Sequence, residues 1–407
     1  MRLKKLGSIA EIIAGQSPLS KTYNEDGIGL PFFQGKADFQ DKYPKAKTWC
    51  TSSKRKEAVQ GDILISVRAP VGSVNICDQL SIIGRGLSAI RPLEGINGEY
   101  LYYFFKSNER KIANLGTGST FKAITQEILK KIQIPIPVKD GNPFIDDQIR
   151  IATLLSKVES LIAKRKKSIE DLDELLKSTF QEMFGDPIKN EMGWEKKQFD
   201  SLLENIDSGW SPKCEAHVAE ENNWGVLKLG AVTSCNYNEK ENKALFEGSP
   251  FKKKLEVKKG DLLFSRKNTY ELVAACAYVF QTRPKLMLSD LIFRLVLKKE
   301  IKTNPIFLWK LLINSSQRKK IQSFAAGAAG SMPNISKTKL KMVMLPYPPI
   351  DLQNKFAKIV EKVESIKEHY HKSLTNLENL YGVLSQKAFK GELDLSRIPL
   401  EKEAEPQ

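Results

Sequence analysis

Residues 146–186 constrain this chain more than any other stretch. They contain neither Pro nor Gly until Gly185, where Gly185-Asp186-Pro187 supplies a stop. Apolar residues recur at heptad spacing. Leu155, Ile162, Ile169, Leu176 and Met183 form one row, and Ile151, Val158 and Leu172 a second. Leu154, Leu161 and Leu175 add a third row, and Arg165 interrupts the face. This period predicts one long helix with a coiled-coil-like seam. Such a helix is unstable alone in water and needs a partner. The chain provides one from Asp351-Leu352-Gln353 onward, with Val360, Leu374 and Tyr381 on one row and Phe356, Val363, Tyr370, Leu377 and Leu384 on another.

The partner is a repeat of the first stretch. Gln353, Ala357, Val360, Val363, Leu377 and Phe389 each stand 205 residues after Gln148, Ala152, Leu155, Val158, Leu172 and Phe184. The segments before the helices repeat in the same order. Gly260-Asp261-Leu262-Leu263-Phe264-Ser265 echoes Gly61-Asp62-Ile63-Leu64-Ile65-Ser66, and Ser208-Gly209-Trp210-Ser211-Pro212 echoes Ala14-Gly15-Gln16-Ser17-Pro18. The aromatic run from Ile306 answers the one from Tyr100, and Ala328-Ala329-Gly330-Ser331 answers the small-residue loop at 116–119. Val343–Pro348 likewise answers Ile132–Pro137. A two-fold repeat this long implies two duplicated globular parts, each followed by a long helix, and not a solenoid. Antiparallel pairing of the helices would place one globular part at each end of a stiff rod. Within the first part, short apolar runs such as 63–67, 81–83 and 87–90 predict strands, residues 100–106 a helix, and Thr125 the cap of another.

The formal net charge of +16 over 407 residues calls for a polyanionic partner, of which nucleic acid is the commonest. No run of 18 apolar residues exists, so no helix spans a bilayer, and the first residues lack the apolar core of a signal peptide. The five cysteines are scattered without a Cys-x-x-Cys pair, which fits reduced thiols in a cytoplasm.

Catalytic signatures are missing. There is no phosphate loop, and Gly84-Arg85-Gly86 does not extend to a dinucleotide fingerprint. His369 and His371 lie two apart on a helix and point away from each other. Cys214, His217 and Cys235 lack an evident fourth metal ligand, so no metal site is expected. Asn142-Pro143-Phe144 and Asn304-Pro305-Ile306 lack the second proline of an amino-methyltransferase motif. The enzyme alternative is a stand-alone DNA nuclease with a cryptic metal site around Glu256-Val257-Lys258.

Binding chemistry is better represented. Basic residues cluster in candidate loops with Ser, Thr and Asn, side chains that bond both phosphates and base edges. In the first part these are Arg68, Arg85, Thr117, Ser119 and Lys122; in the second, Arg266, Lys267, Asn268, Ser331, Asn334 and Lys337. Arg68 and the run 266–268 follow equivalent strands of the repeat.

Taken in order, these parts resemble the specificity subunits of type I restriction–modification systems. The match covers nearly the whole chain. It is carried by Gly61–Ser66, the loop at 116–120 running to Ile134-Pro135-Ile136-Pro137, the helix start at Gln148, Glu182-Met183-Phe184-Gly185-Asp186-Pro187, and the ending Gln386-Lys387-Ala388-Phe389-Lys390-Gly391-Glu392-Leu393. The resemblance implies an α+β fold: two similar target-recognition domains with β-rich cores, at 1–145 and 187–350, separated by two long helices packed as an antiparallel coiled coil, at 146–186 and 351–393. A disordered tail is expected at 394–407. Each domain would read one half of a bipartite, asymmetric site on double-stranded DNA. The helices would set the spacing and dock two methyltransferase subunits, with restriction/translocase subunits joining the assembly. The chain itself would be non-catalytic and cofactor-free, with S-adenosylmethionine, ATP and Mg confined to the partner subunits.

Overall fold

Heptad patterning without internal Pro, and with Gly382 as the one internal glycine, yields two unbroken helices, Ile145–Phe184 and Ile350–Lys390, in the computed structural model, which describes residues 1–116, 123–326 and 332–400. Left-handed Gly185 and Gly391 follow their last turns. Contacts group the chain into two compact units, Met1–Lys167 with Tyr370–Gln407 and Ser168–His369. The division therefore falls inside both helices rather than at their ends, because the helix faces complete the cores of the units.

In the first unit an antiparallel sheet runs in the order Ala10–Ala14, Leu87–Pro92, Ile63–Ser66, Val74–Ile76. A five-stranded sheet and a two-stranded pairing of Arg2–Lys5 with Gln133–Ile136 accompany it. Helix Gly98–Ser107 starts at Asn97, whose side chain accepts the Tyr100 N–H, and it buries Tyr100, Tyr102, Tyr103 and Phe105. Phe389 of the second long helix packs edge-on against Tyr100 and Phe104, both at 5.4 Å between ring centroids. Tyr381 lies beside Glu159, and Ala388 and Ile151 line one small cleft. The helical segments of this unit therefore run antiparallel.

Arg165, which interrupts the seam, places its guanidinium 4.1 Å from the centroid of the Tyr370 ring. The two core-row intruders satisfy each other by a cation–π contact, and both helices continue through them. The stretch from residue 394, expected to be disordered, instead folds back in part. Leu395 packs against the core, and the Ile398 carbonyl accepts from Arg150 Nε at 3.2 Å.

The second unit repeats the plan. Its main sheet runs Leu203–Ser208, Ile292–Leu297, Leu262–Ser265, Cys276–Tyr278, and Lys196–Gln198 pairs with Met344–Pro346. Helix Pro305–Ile313 is capped by Asn304, as Asn97 caps its counterpart. Phe356 is fully buried, 5.6 Å from Phe180 and 5.3 Å from Phe184 between centroids. Lys367, only 5% exposed, bonds Asp173 at 2.7 Å and Glu364 at 3.4 Å.

Each unit anchors its helix start in the same way. Gln148 Oε1 accepts the Asn97 N–H at 3.0 Å, and Gln353 Oε1 accepts the Asn304 N–H at 3.0 Å. Further along, Glu159 accepts from Tyr103 at 3.0 Å and Glu364 from Lys310 at 3.2 Å.

Removing the Phe356 ring leaves a cavity in a core that cannot collapse around it. Phe356→Ala is expected to cost about 3–5 kcal/mol, read as a lowered midpoint in urea denaturation of the full chain.

Candidate nucleic-acid interface

Each unit gathers three loop segments at the end of its central strand. In the first unit, strand Ile63–Ser66 runs out into Val67 and Arg68. The Val67 carbonyl accepts the Ile124 N–H at 3.0 Å, Arg68 bridges to Ala123, and the Val67 N–H donates to the Gly86 carbonyl at 2.9 Å. The Gln16 N–H donates to the Ile83 carbonyl at 2.9 Å. In the second unit the Arg266 carbonyl accepts the Ile335 N–H at 2.8 Å, Lys267 bridges to Asn334, and the Arg266 N–H donates to the Leu291 carbonyl at 3.1 Å. There the Trp210 N–H donates to the Leu288 carbonyl at 2.9 Å. Val67 thus corresponds to Arg266, and Arg68 to Lys267. Glycine is required at 15 and 209, because an added Cβ would lie 2.1 Å from the Gly84 or Ser289 carbonyl oxygen.

The framework is shared and the side chains differ. Arg68 and Arg85 are exposed and line one cleft of about 200 Å³ with Ser17, Gln34 and Lys36. Neither guanidinium forms an ion pair among the described residues. Exposed guanidinium groups of this kind can donate to phosphate oxygens or base edges. In the second unit, Arg266 Nε donates to Asn334 Oδ1 at 3.1 Å, and its guanidinium lies 5.2 Å from the centroid of the Phe293 ring. Lys267 is half-buried beside them.

Two sequence candidates bond to the protein's own backbone. Asn268 is 6% exposed, with its Oδ1 accepting the Thr269 N–H at 2.9 Å, so it holds the turn. The Lys337 ammonium bonds the Ile206 carbonyl and lies over the Phe293 ring. Both polar groups are used by the protein's own backbone. Thr117, Ser119, Lys122 and Ser331 lie outside the described residues.

Ser17, Gln34 and Lys36 line this cleft without being among the sequence candidates, and the Gly-x-Ser-Pro echo around Ser17 and Ser211 points to Ser17 alone. The Gly-Asp strand motif is structural. Asp62 Oδ2 accepts from Arg91 at 2.8 Å and from the Val59 N–H at 2.8 Å. Asp261 accepts from Arg294 at 3.3 Å and from the Lys258 N–H at 2.9 Å, and burial pushes its carboxyl above the usual carboxylate range.

On the helices, Leu155, Val158, Leu176, Val360 and Val363 are buried. Ile162, Ile169, Leu172, Leu374, Leu377 and Leu384 are half-buried. The third row departs from a buried seam: Leu161 and Leu175 are 50% and 49% exposed, as are Leu380 at 45% and Val383 at 51%. Two helical segments cover one stripe of each other and leave the flanking apolar row in solvent.

Elsewhere, burial pushes the Cys77 thiol up to about 11 and raises that of Cys276 well above its ordinary value. Among the described residues no three His, Cys, Asp or Glu side chains cluster as metal ligands. Cys214 donates to the Pro212 carbonyl, and His217 contacts the Val218 carbonyl. Glu256 Oε1 accepts the Lys285 N–H at 2.7 Å, beside the isolated bridge from Glu256 to Met287.

The family model for the type I restriction modification DNA specificity domain matches residues 1–172 and 192–379. Two relatives are Methanocaldococcus jannaschii chains bearing the names of the MjaX and MjaIX type I restriction enzyme specificity subunits. The first is 40% identical over 168 residues, 41% of this chain and 38% of the relative. The second is 31% identical over 223 residues, 52% of this chain and 50% of the relative. This chain thus spans half or less of the length of these two relatives. The crystal structure of a type I restriction–modification S subunit from M. genitalium matches with a TM-score of 0.59 at 18% identity, over 95% of this chain and 96% of that one, and so shares the fold.

Arg68→Ala is expected to weaken duplex DNA binding and to flatten the slope of log K against log salt by about one. Lys337→Met is expected to lower the melting temperature and leave that slope unchanged. Anisotropy titrations across a salt series, with thermal melts alongside, check both.

Proposed function

This chain belongs to the type I restriction modification DNA specificity family, and from that footing we propose that it is the DNA-reading subunit of a restriction–modification complex. Each unit reads one half of a bipartite site on double-stranded DNA. The observation that carries this reading is the duplicated three-segment framework, which presents Arg68 in one unit and Lys267 in the other at the same backbone position. The side chains around those positions differ, so the two half-sites differ and the whole site is asymmetric. The net charge of +16 suits a phosphate backbone.

The chain performs no chemistry. Two methyltransferase subunits supply base methylation with S-adenosylmethionine, and restriction/translocase subunits bring ATP- and Mg-dependent activity. The nuclease alternative has no support in the family match, and Glu256 is committed to the Lys285 backbone. The exposed apolar positions on the helices, Leu161, Leu380 and Val383 in one unit and Leu175 in the other, dock the methyltransferase subunits. No described helix is long and apolar enough to cross a membrane, and the place of action is the cytoplasm, where the DNA is.

The long helices set the gap between half-sites. Their 40 and 41 residues correspond to roughly 60 Å of rise at 1.5 Å per residue, enough to span half-sites about one helical turn of DNA apart, roughly 34 Å. Inserting one or two helical turns at Ser168 is expected to lengthen the gap in the methylated motif while both half-site sequences stay the same. Methylome sequencing of cells carrying this chain and its methyltransferase reads the result; an unchanged gap refutes the ruler. Leu380→Asp with Val383→Asp is expected to reduce co-purification of the methyltransferase at least tenfold, with the melting temperature of the chain nearly unchanged.

A further inference from the structure

One position of the shared framework carries opposite charge in the two units. The Arg85 N–H donates to Ser17 Oγ at 3.3 Å, and the Asp290 N–H donates to Ser211 Oγ at 3.2 Å. The flanking backbone bonds are the same on both sides, from Gln16 to Ile83 and Trp210 to Leu288 before the turn, and from Val67 to Gly86 and Arg266 to Leu291 after it. Arg85 and Asp290 are therefore the same residue of the repeat. Both are exposed. Arg85 shares its cleft with Arg68 and Lys36. The Asp290 turn adjoins the basic strand end: its carbonyl accepts from Arg266 Nη1 at 3.4 Å.

An arginine at this position can serve a phosphate or a guanine edge. A carboxylate cannot serve a phosphate, since two anions repel and neither carries a proton to share. What it can do on a duplex is accept an N–H from a base, and the usual partner of an aspartate in the major groove is the N4 amino group of cytosine. The side chain is set up for one such bond. The Ser211 hydroxyl donates to Oδ1 and fixes the rotamer, while Oδ2 has no hydrogen bond among the described residues. Resting on the DNA-reading function proposed above, we infer that Asp290 is a specificity-determining residue of the second unit that accepts from the amino group of a cytosine. Arg85 takes the electrostatic role at the equivalent place in the first unit.

The test uses the full chain with its methyltransferase partner and sequences the methylomes directed by the wild type, Asp290→Ala and Asp290→Asn. The wild type is expected to give a bipartite motif with a C·G pair in the half-site of the second unit. Asp290→Ala should relax that one position, lowering discrimination by about tenfold or more, with the other half-site intact. Asp290→Asn preserves shape and the Ser211 contact. It should move the preference toward adenine, which an amide bonds through both N6 and N7. An unchanged motif in both variants overturns the assignment. So does a uniform gain of methylation at all sequences, the mark of relieved phosphate repulsion, or a change in both half-sites. If the wild type directs no bipartite methylation, the DNA-reading function fails and this inference with it; a normal wild-type motif that ignores Asp290 overturns the inference alone.

Discussion

A fully buried glutamine fastens each long helix to the globular part that precedes it. Gln148 and Gln353 are both 0% exposed. A primary amide in that setting is costly unless it is bonded. Each meets the requirement through backbone groups: Asn97 N–H and the Gly95 carbonyl in one unit, Asn304 N–H and the Pro348 carbonyl in the other. Because Asn97 and Asn304 also cap the aromatic helices, one side chain ties the start of the long helix to the start of the helix packed against the sheet. The contacts of Glu159 with Tyr103 and of Glu364 with Lys310, about three turns further on, hold the same register.

The repeat separates what must stay from what can vary. The order of the four-stranded sheet, the caps, the close approach at Gly15 and Gly209, and the stitching of the strand end to the segment after the small-residue loop are common to both units. Side chains at the tips of that framework are not. Arg68 becomes Lys267, and Arg85 becomes Asp290. Backbone hydrogen bonds define where a tip sits whatever residue occupies it, so a tip can change its chemistry without disturbing the fold. That is the property a pair of reading heads needs if each is to read a different sequence.

The heptad rows through Leu155, Val158 and Val360 are buried, since periodicity alone tells which face of a helix must be covered. Periodicity does not tell how much covering is on offer, so Leu161 and Leu175 read as seam while standing half in solvent. The polar candidates show a similar limit. Asn268 and Lys337 have the composition of contact residues, yet Asn268 accepts from the Thr269 N–H and Lys337 donates to the Ile206 carbonyl. Ser17 and Ser211 appeared only as echoes of each other, although both accept from the charged turn.

What the sequence determined by itself was the architecture: two copies of one plan, each with a strand-rich core, an aromatic helix and a long heptad helix. These follow from local rules, namely apolar period, glycine and proline punctuation, and the statistical weight of a repeated order. The tertiary structure alone decided which polar side chains face outward and which are spent inside, and which distant turns meet at the strand end. Those outcomes depend on through-space neighbours far apart in the chain. Ser211 and Asp290, or Arg266 and Asn334, become partners only once the sheet has formed.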